Sequence, residues 1–221
     1  MRFAVLIYDD VEPIDLGATF GVLSMARRVA PQIEMLGVAR QAGLVMCANG
    51  LEVVAESDFA SFPGCDVLIV TGGPGWQQAA ADHATLEFLR SIPDETLIGG
   101  ICTGAMIMAA AGLLDGAEAT TKTEVVGAER SPLTVLNERH AAVKTCRSVA
   151  VLSGNRFTSG GVALGIDGVF YVLAHVLGDE VAQQTARIME YSRALAANAA
   201  SLPPRGFKAD FVVSRNEASI E

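Results

Sequence analysis

Short apolar runs rich in β-branched residues alternate along this chain with longer stretches of helical periodicity. The apolar runs have the length of buried strands, which usually span about four to eight residues. They occupy residues 3–8, 33–38, 67–70, 97–101, 143–145, 149–152 and 156–158. The helical patterns occupy residues 14–29, a segment through 86–89, 104–114, a segment after 119–121, 161–177 and 179–198. Because strands that alternate with helices are typical of βαβ units, the pattern predicts an α/β fold with a mostly parallel sheet and helices on both faces.

A hairpin and a C-terminal arm complete the predicted organisation. Residues 45–47 and 51–54 flank Ala48-Asn49-Gly50, and an Asn-Gly pair supplies the positive φ of a tight turn, so we expect a small antiparallel hairpin. We expect one domain over residues 1–200. Residues 201–221 contain Pro203-Pro204 and are expected to form an arm that is either mobile or docked on a neighbour.

Composition narrows the class of protein. The 221 residues include 16 basic and 25 acidic side chains, a net charge of −9, which disfavours nucleic-acid binding because that binding depends on phosphate neutralisation. No signal peptide or membrane span is apparent, so we expect a cytoplasmic protein without membrane contact. The four scattered cysteines form neither a CxxC pair nor a Cys/His cluster, and we expect no metal site and no disulfide framework.

Chemically distinctive residues follow three of the predicted strands. An acidic loop that ends at Asp15 follows the first strand, a TGGPG loop at residues 71–75 follows the third, and Cys102 follows the fourth. Ligands of open parallel sheets bind beside the carboxyl ends of the strands. We therefore expect these three segments to build one small-molecule site.

Cys102 lies in a Gly-x-Cys-x-Gly pattern, flanked by Gly100 and Gly104, at a predicted strand-to-helix turn. This is the pattern of a nucleophile elbow, in which glycines allow a strained turn to pack closely against its neighbours. A cysteine at a helix N-terminus gains thiolate character from the unpaired N–H groups and the helix dipole. The pattern predicts that Cys102 is a reactive nucleophile, whereas the other three cysteines lack flanking glycines and are expected to be packing residues.

A nucleophilic cysteine needs a partner that accepts or supplies a proton. His83 and His140 lie in polar segments, and His175 lies in an apolar helix where a core or interface position is expected. Asp15 begins a predicted helix among apolar residues, and burial beside the sulfur would raise its pKa and keep the carboxyl protonated. Alternatively, Asp15 interacts only with the helix dipole, and Glu12 is the competing carboxylate.

The TGGPG loop offers backbone N–H groups rather than a phosphate motif. It lacks the Lys-Ser/Thr pair of a P-loop and the spacing of Gly-x-Gly-x-x-Gly. One of the N–H groups of Gly72 and Gly73, paired with that of Thr103, could bind developing negative charge as an oxyanion hole.

A longer set of motifs occurs in a fixed order along the chain. These motifs are Asp15-Leu16, Thr71-Gly72-Gly73-Pro74-Gly75, Cys102-Thr103-Gly104-Ala105, Ala110-Ala111-Gly112-Leu113-Leu114, Ala119-Thr120-Thr121, Thr158-Ser159-Gly160-Gly161, Gly165-Ile166-Asp167 and Met189-Glu190-Tyr191. The set resembles the ThiJ/PfpI superfamily over residues 1–195, and within it the isonitrile hydratases and the amidase-like sensor domains of AraC-type regulators. The resemblance implies a flavodoxin-like three-layer sandwich, a homodimer, Cys102 as nucleophile, Asp15 as the acid that contacts it, and the N–H groups of Gly73 and Thr103 as the anion site.

The chain departs from the pattern of its relatives beside the expected pocket. Lys122 replaces the histidine of an Ala-Thr-Thr-His-Trp segment, and Ala18-Thr19 replaces the end of an Asp-Leu-x-Gly-Pro segment. Gly72, Thr121 and Lys122 are the residues expected to line the pocket. Thr103 stands where PfpI-type peptidases carry a histidine, and no histidine occurs near residues 157–161, where a glutaminase would need one. Peptidase and glutaminase activity are therefore not expected.

The resemblance implies a cysteine-dependent hydro-lyase that converts an isonitrile to an N-substituted formamide without a metal or an organic cofactor. Two other classes remain open. A glyoxalase or deglycase would use the same thiol on a carbonyl carbon, normally with a histidine partner. A redox or metabolite sensor needs only an accessible thiol of low pKa. A DNA-binding regulator is opposed by the acidic charge.

Overall fold

The computed structural model describes residues 1–207, and it confirms the predicted alternation of strands and helices. The strands are β1 Arg2–Leu6, β2 Glu34–Ala39, β3 Gly43–Met46, β4 Glu52–Ala55, β5 Ser57–Asp58, β6 Val67–Val70, β7 Leu97–Ile101, β8 Glu118–Ala119, β9 Lys144–Thr145, β10 Ala150–Ser153 and β11 Arg156–Ser159. The helices are α1 Pro13–Ala26, α2 Trp76–Ala79, α3 His83–Ser91, α4 Gly104–Ala110, α5 Pro132–Arg139, α6 Leu164–Leu177, α7 Asp179–Ile188 and α8 Ser192–Ser201.

Seven strands of the described chain form one sheet in the order β10-β11-β7-β6-β1-β2-β5. Every neighbouring pair is parallel except β10 and β11. The register pairs Leu6 with Val70 and Val70 with Gly100, so β1, β6 and β7 end at the same level. The three loops that leave these strands therefore meet at one edge of the sheet.

Side chains that alternate along the strands build a separate core on each face of the sheet. Val67 and Ile69 of β6 belong to the core under α1, α6, α7 and α8, while Leu68 and Val70 belong to the core under α2 to α5. Strands with apolar side chains on both faces need helices on both faces to exclude water. This arrangement confirms the predicted three-layer, flavodoxin-like sandwich.

The predicted hairpin is also present. β3 and β4 pair antiparallel, with Leu44 opposite Val54. Asn49 and Gly50 in the connecting turn have φ of 61° and 87°. These are the positive values that an Asn-Gly pair adopts in a tight turn.

Two sequence-based expectations are wrong in their details. The helix expected over residues 179–198 is two helices, α7 and α8, because Glu190 adopts a left-handed φ of 55° between them. This break lets Tyr191 and Asn198 both donate to the buried Asp167 carboxylate, at 2.8 Å and 3.1 Å. The core position, one of the two expected for His175, is wrong because this residue is exposed just past the buried stretch of α6, while the interface position stays a prediction.

The first residues of the expected arm dock on their own chain. Arg205 exchanges backbone hydrogen bonds with Ala150 (2.9 Å) and Leu152 (2.8 Å) of β10, and Phe207 contacts the Tyr171 ring. The rest of the expected arm, from residue 208, lies outside the described residues. Within residues 1–207, no helix is long and apolar enough to cross a membrane.

Candidate active site

The three chemically distinctive segments predicted from the sequence meet at the ends of β1, β6 and β7. Glu12 donates its N–H to the Gly72 carbonyl at 2.9 Å, and Gly75 donates to the Asp10 carbonyl at 3.1 Å, so the acidic loop and the TGGPG loop are tied together. Cys102 follows β7 directly beside them. One site at this edge of the sheet is therefore built from three separate parts of the chain.

Cys102 forms the strained turn of a nucleophile elbow. Its φ of 55° lies in the left-handed region, which costs a non-glycine residue free energy and is typical of functional sites. A Cβ on Gly104 would overlap the Val70 carbonyl oxygen, and one on Gly100 would meet the backbone N of Ala105. The predicted reason for both glycines, close approach of neighbouring backbone, is thus confirmed.

Asp15 lies in the first turn of α1, and its side chain is completely buried. Its Oδ2 accepts the Gly72 N–H at 3.0 Å. The carboxyl also contacts the Cys102 thiol, although Oδ1 has no partner of regular hydrogen-bond geometry. The structure therefore brings together the two side chains to which the sequence assigned the chemistry.

Burial raises the pKa of Asp15 to about 7, against the lowering effects of hydrogen bonds from Cys102 and Gly72. The nearby Glu12 adds to the increase, and the Lys122 ammonium opposes it. The increase agrees with the expected effect of burial on this carboxyl. Asp15 can therefore hold or release a proton near neutral pH.

The pKa of the Cys102 thiol is raised, whereas its position at a helix N-terminus predicted a lowered value. Burial is the main cause and the negative charge of Asp15 the second, and together they outweigh the lowering by the Thr103 N–H and by Lys122. Because the charge of Asp15 vanishes on protonation, a proton on Asp15 removes one of the two main obstacles to a Cys102 thiolate. The two groups must be treated as one coupled pair.

The N–H groups expected to form the anion site have different partners. The Thr103 N–H hydrogen-bonds the Cys102 sulfur, and the Gly73 N–H donates to the Thr103 hydroxyl at 2.9 Å. A Cβ on Gly73 would overlap the backbone of the acidic loop at Glu12, so only glycine fits there. A substrate anion would therefore share the Thr103 N–H with the Cys102 sulfur. It would also compete with the Thr103 hydroxyl for the Gly73 N–H.

Cys102 opens into a cavity of about 520 Å³, a volume typical of small-molecule sites. Its lining residues are Glu12, Gly73, Pro74, Trp76, Gln77, Cys102, Thr103, Lys122, Val125, Glu129, Arg130, Pro132, Val135, Arg139 and Val162. Gly72, Thr121 and Lys122 were expected to line the pocket, and of these three Lys122 alone belongs to the lining. Gly72 and Thr121 lie behind the wall, where Gly72 contacts Asp15 and the Thr121 hydroxyl donates to the Cys102 carbonyl at 2.6 Å.

Several residues around the cavity were not anticipated from the sequence. Arg139 and Val135 are far from the motifs along the chain and come from α5, whose pattern carries no chemical signal. A sequence signal was present for Trp76, the single tryptophan of the chain, which follows the TGGPG loop directly. Gly161 belongs to one of the motifs, and a Cβ there would overlap the Cys102 sulfur.

No histidine of the chain reaches the cavity, although all three lie within residues 1–207. His83 is exposed and pairs with Glu87 at 3.2 Å, and neither His140 nor His175 belongs to the lining. The site therefore lacks the histidine partner that a glyoxalase or deglycase would normally use. In the described part of the chain, no group of three or more His, Cys, Asp or Glu residues is arranged to hold a metal ion.

Comparisons with known proteins agree with this fold. The family model described as DJ-1/PfpI family matches residues 1–170. The chain belongs to the DJ-1/PfpI family. A crystal structure of a ThiJ/PfpI family protein from Pseudomonas syringae has a TM-score of 0.72 at 24% identity, over 86% of this chain and 74% of that one, and supports the fold.

Two curated relatives differ in their functional class. The isonitrile hydratase of Pseudomonas putida is 29% identical over 200 residues, which cover 88% of this chain and 80% of that enzyme. The HTH-type transcriptional regulator GlxA of Rhizobium meliloti (strain 1021) is 30% identical over 183 residues, 81% of this chain. That match covers 53% of the regulator, so this chain spans about half of its length. The family thus includes both enzymes and regulators.

Proposed function

We propose that this protein is a cysteine-dependent hydratase of the isonitrile hydratase type, which adds water to an isonitrile and yields an N-substituted formamide. The observation that carries the proposal is the contact between the buried Asp15 carboxyl and Cys102, with a pKa of Asp15 of about 7. Hydration of an isonitrile needs a nucleophile together with a group that first gives up a proton and then takes one back. The two side chains supply these roles.

The first step forms the covalent intermediate. The reactive pair holds one proton, on Asp15, and the Cys102 thiolate accepts a hydrogen bond from the Thr103 N–H. The sulfur attacks the terminal isonitrile carbon and forms the C–S bond. The electron pair that develops on this carbon takes the proton of Asp15, which leaves an S-linked thioimidate and an Asp15 carboxylate.

The second step releases the product. The Asp15 carboxylate accepts a proton from a water molecule, whose oxygen bonds to the thioimidate carbon, and Asp15 then passes this proton to the nitrogen. The C–S bond of the resulting tetrahedral species breaks as the carbonyl forms, and the hydroxyl proton returns to Asp15. The thiolate and the protonated carboxyl are restored, and the net reaction consumes one isonitrile and one water for each formamide.

The direct test is formamide production from a panel of isonitriles by the wild type and by the Cys102→Ala and Asp15→Asn variants. Turnover by the wild type that is lost in Cys102→Ala supports the proposal. If the wild type converts no member of the panel, the proposal is wrong. An Asp115→Asn variant, at an exposed position outside the cavity lining, controls for the loss of a carboxylate elsewhere.

A second candidate is a redox or metabolite sensor, which is favoured by the match to a transcriptional regulator. A sensor needs no turnover, only selective oxidation or ligand binding at this cysteine. Mass spectrometry after mild peroxide treatment distinguishes the two. Selective sulfinate at Cys102 in a protein that hydrates no isonitrile would favour the sensor.

A further inference from the structure

The cavity at Cys102 is rich in cationic side chains although the protein as a whole is acidic. Its lining includes Lys122, Arg130 and Arg139 against Glu12 and Glu129, whereas the whole chain has 16 basic and 25 acidic residues. The balance of charge is therefore reversed at this cavity.

The cationic residues lie at different distances from the reacting groups. The Lys122 charge lowers the pKa of both Asp15 and Cys102, so Lys122 is close to the reacting pair. Arg130 and Arg139 are not among the main influences on the pKa of either group, and they belong to the wall formed by α5 and the residues before it. The cavity therefore has a reacting end at Cys102 and a more distant cationic wall.

Arg139 is the arginine of this wall that is available to a ligand. Arg130 pairs with Glu138 at 2.5 Å, while Arg139 forms no ion pair with any carboxylate of residues 1–207. A guanidinium binds a carboxylate through two parallel hydrogen bonds. An arginine without a carboxylate partner in a ligand cavity is therefore suited to bind a carboxylate supplied by the ligand.

Much of the remaining lining of the cavity is apolar. Pro74, Trp76, Val125, Val135 and Val162 all contribute to it. An apolar wall favours a hydrocarbon body, because burying apolar surface is favourable and burying unpaired polar groups is not. Glu12 and Glu129 disfavour a ligand with more than one negative charge.

We propose that the substrate is an isonitrile with an apolar body and one carboxylate at its far end, and that Arg139 selects it by binding that carboxylate. This inference rests on the proposed hydratase function and names the class of isonitrile. Arg139 is a specificity-determining residue in this assignment. Its removal therefore affects carboxylate-bearing substrates and leaves the reaction at Cys102 intact.

The test compares 5-isocyanopentanoate with its methyl ester, which has the same chain without the charge. Because Arg139 is exposed, we expect kcat/KM of the wild type to be about threefold to fivefold higher for the acid, the factor of an exposed ion pair that contributes up to about 1 kcal/mol. Arg139→Gln is expected to lower kcat/KM for the acid to that for the ester. Its kcat/KM for the ester is expected to stay within about twofold of the wild-type value. The control Arg187→Gln, at an exposed position of α7 outside the cavity lining, is expected to change neither.

A second measurement separates this inference from the proposed function. The corresponding formamides, 5-formamidopentanoate and its methyl ester, are titrated into the wild type and Arg139→Gln by calorimetry, which needs no turnover. If no isonitrile is hydrated but the acid formamide binds more tightly through Arg139, the hydratase proposal fails and carboxylate recognition stands. If the wild type hydrates acid and ester equally, or if Arg139→Gln weakens both alike, the hydratase stands and this inference is overturned.

Discussion

The Asp15 carboxyl is buried in contact with the Cys102 thiol, and its Oδ2 accepts the Gly72 N–H at 3.0 Å. The Cys102 thiol lowers the pKa of Asp15 through its hydrogen bond, whereas the Asp15 carboxylate raises the pKa of the thiol, because like charges repel in a buried site. The pair therefore loses its first proton near the pKa of Asp15, about 7, and holds the second far above neutrality. The reactivity of Cys102 depends on where the remaining proton lies.

Replacing Asp15 by Asn removes the proton carrier and keeps an oxygen that can accept the Gly72 N–H. We expect kcat/KM for an isonitrile to fall at least about 100-fold, the usual contribution of a positioned acid and base. The measurement is the initial rate of formamide formation, with Asp115→Asn as the control. Equal rates in wild type and Asp15→Asn would show that Asp15 carries no proton in the reaction.

The same variant should change how stability depends on pH. Burial raises the pKa of Asp15 from 3.8 to about 7, so the folded state binds this proton more tightly than the unfolded state. The resulting stability is fully present below pH 3.8 and is lost as the pH rises through about 7. The shift corresponds to a loss of about 4 kcal/mol once the carboxyl is ionised.

Asp15→Asn has no carboxyl to ionise, so the unfolding free energy of the variant relative to wild type should rise between about pH 5 and about pH 8. Urea unfolding at the two pH values measures this difference, and Asp115→Asn should show no such trend. A constant difference between wild type and Asp15→Asn over this range would mean that the pKa of Asp15 is not raised by folding.

Lys122→Met should move the pH dependence of activity upward. The Lys122 ammonium lowers the pKa of both Asp15 and Cys102, so its removal raises both. Activity requires loss of the first proton of the pair, and the rise of kcat/KM with pH should therefore begin at a higher pH. Lys144→Met, at an exposed position on β9, is the matched control. A shift of the profile to lower pH would contradict the assigned position of Lys122.

Thr121→Val tests how the strained elbow is held. The Thr121 hydroxyl donates to the Cys102 carbonyl at 2.6 Å, and the residue is completely buried. Its loss leaves this carbonyl without that donor and should cost about 1–3 kcal/mol of stability, together with a loss of activity. Differential scanning calorimetry gives the change in stability. Thr145→Val removes an exposed hydrogen bond to Asn137 and should therefore lower the free energy of unfolding by less than Thr121→Val does.

Much of the fold and the centre of the site were predictable from the sequence because their signals are local. The apolar runs at Val67–Val70 and Leu97–Ile101 matched β6 and β7 residue for residue. The glycines around Cys102 and the position of Asp15 after a strand pointed to the two side chains that are in contact at the centre of the site. In each case a short stretch of chain carries the physical reason for its own conformation.

The remaining features depend on tertiary structure. The helix dipole at Cys102 is a local effect, but burial and the charge of Asp15 outweigh it, and neither can be read from the elbow pattern. Arg139 becomes part of the cavity only because α5 packs beside the ends of the strands. The helix break at Glu190 allows Tyr191 to donate a hydrogen bond to Asp167, which is distant along the chain. The periodicity of residues 179–198 therefore does not reveal the break.

The most direct test of the coupled pair is the pH dependence of alkylation at Cys102 by iodoacetamide in the wild type and in Asp15→Asn. Peptide mass spectrometry separates Cys102 from the three other free thiols, which are Cys47, Cys65 and Cys146. The coupled pair predicts that alkylation of the wild type rises with pH through about 7, as the thiol proton passes to Asp15. In Asp15→Asn the rise should move above the ordinary thiol value of about 8.5, because burial still raises the pKa of Cys102. A rise at about 8.5 in the wild type, unchanged in Asp15→Asn, would contradict the account.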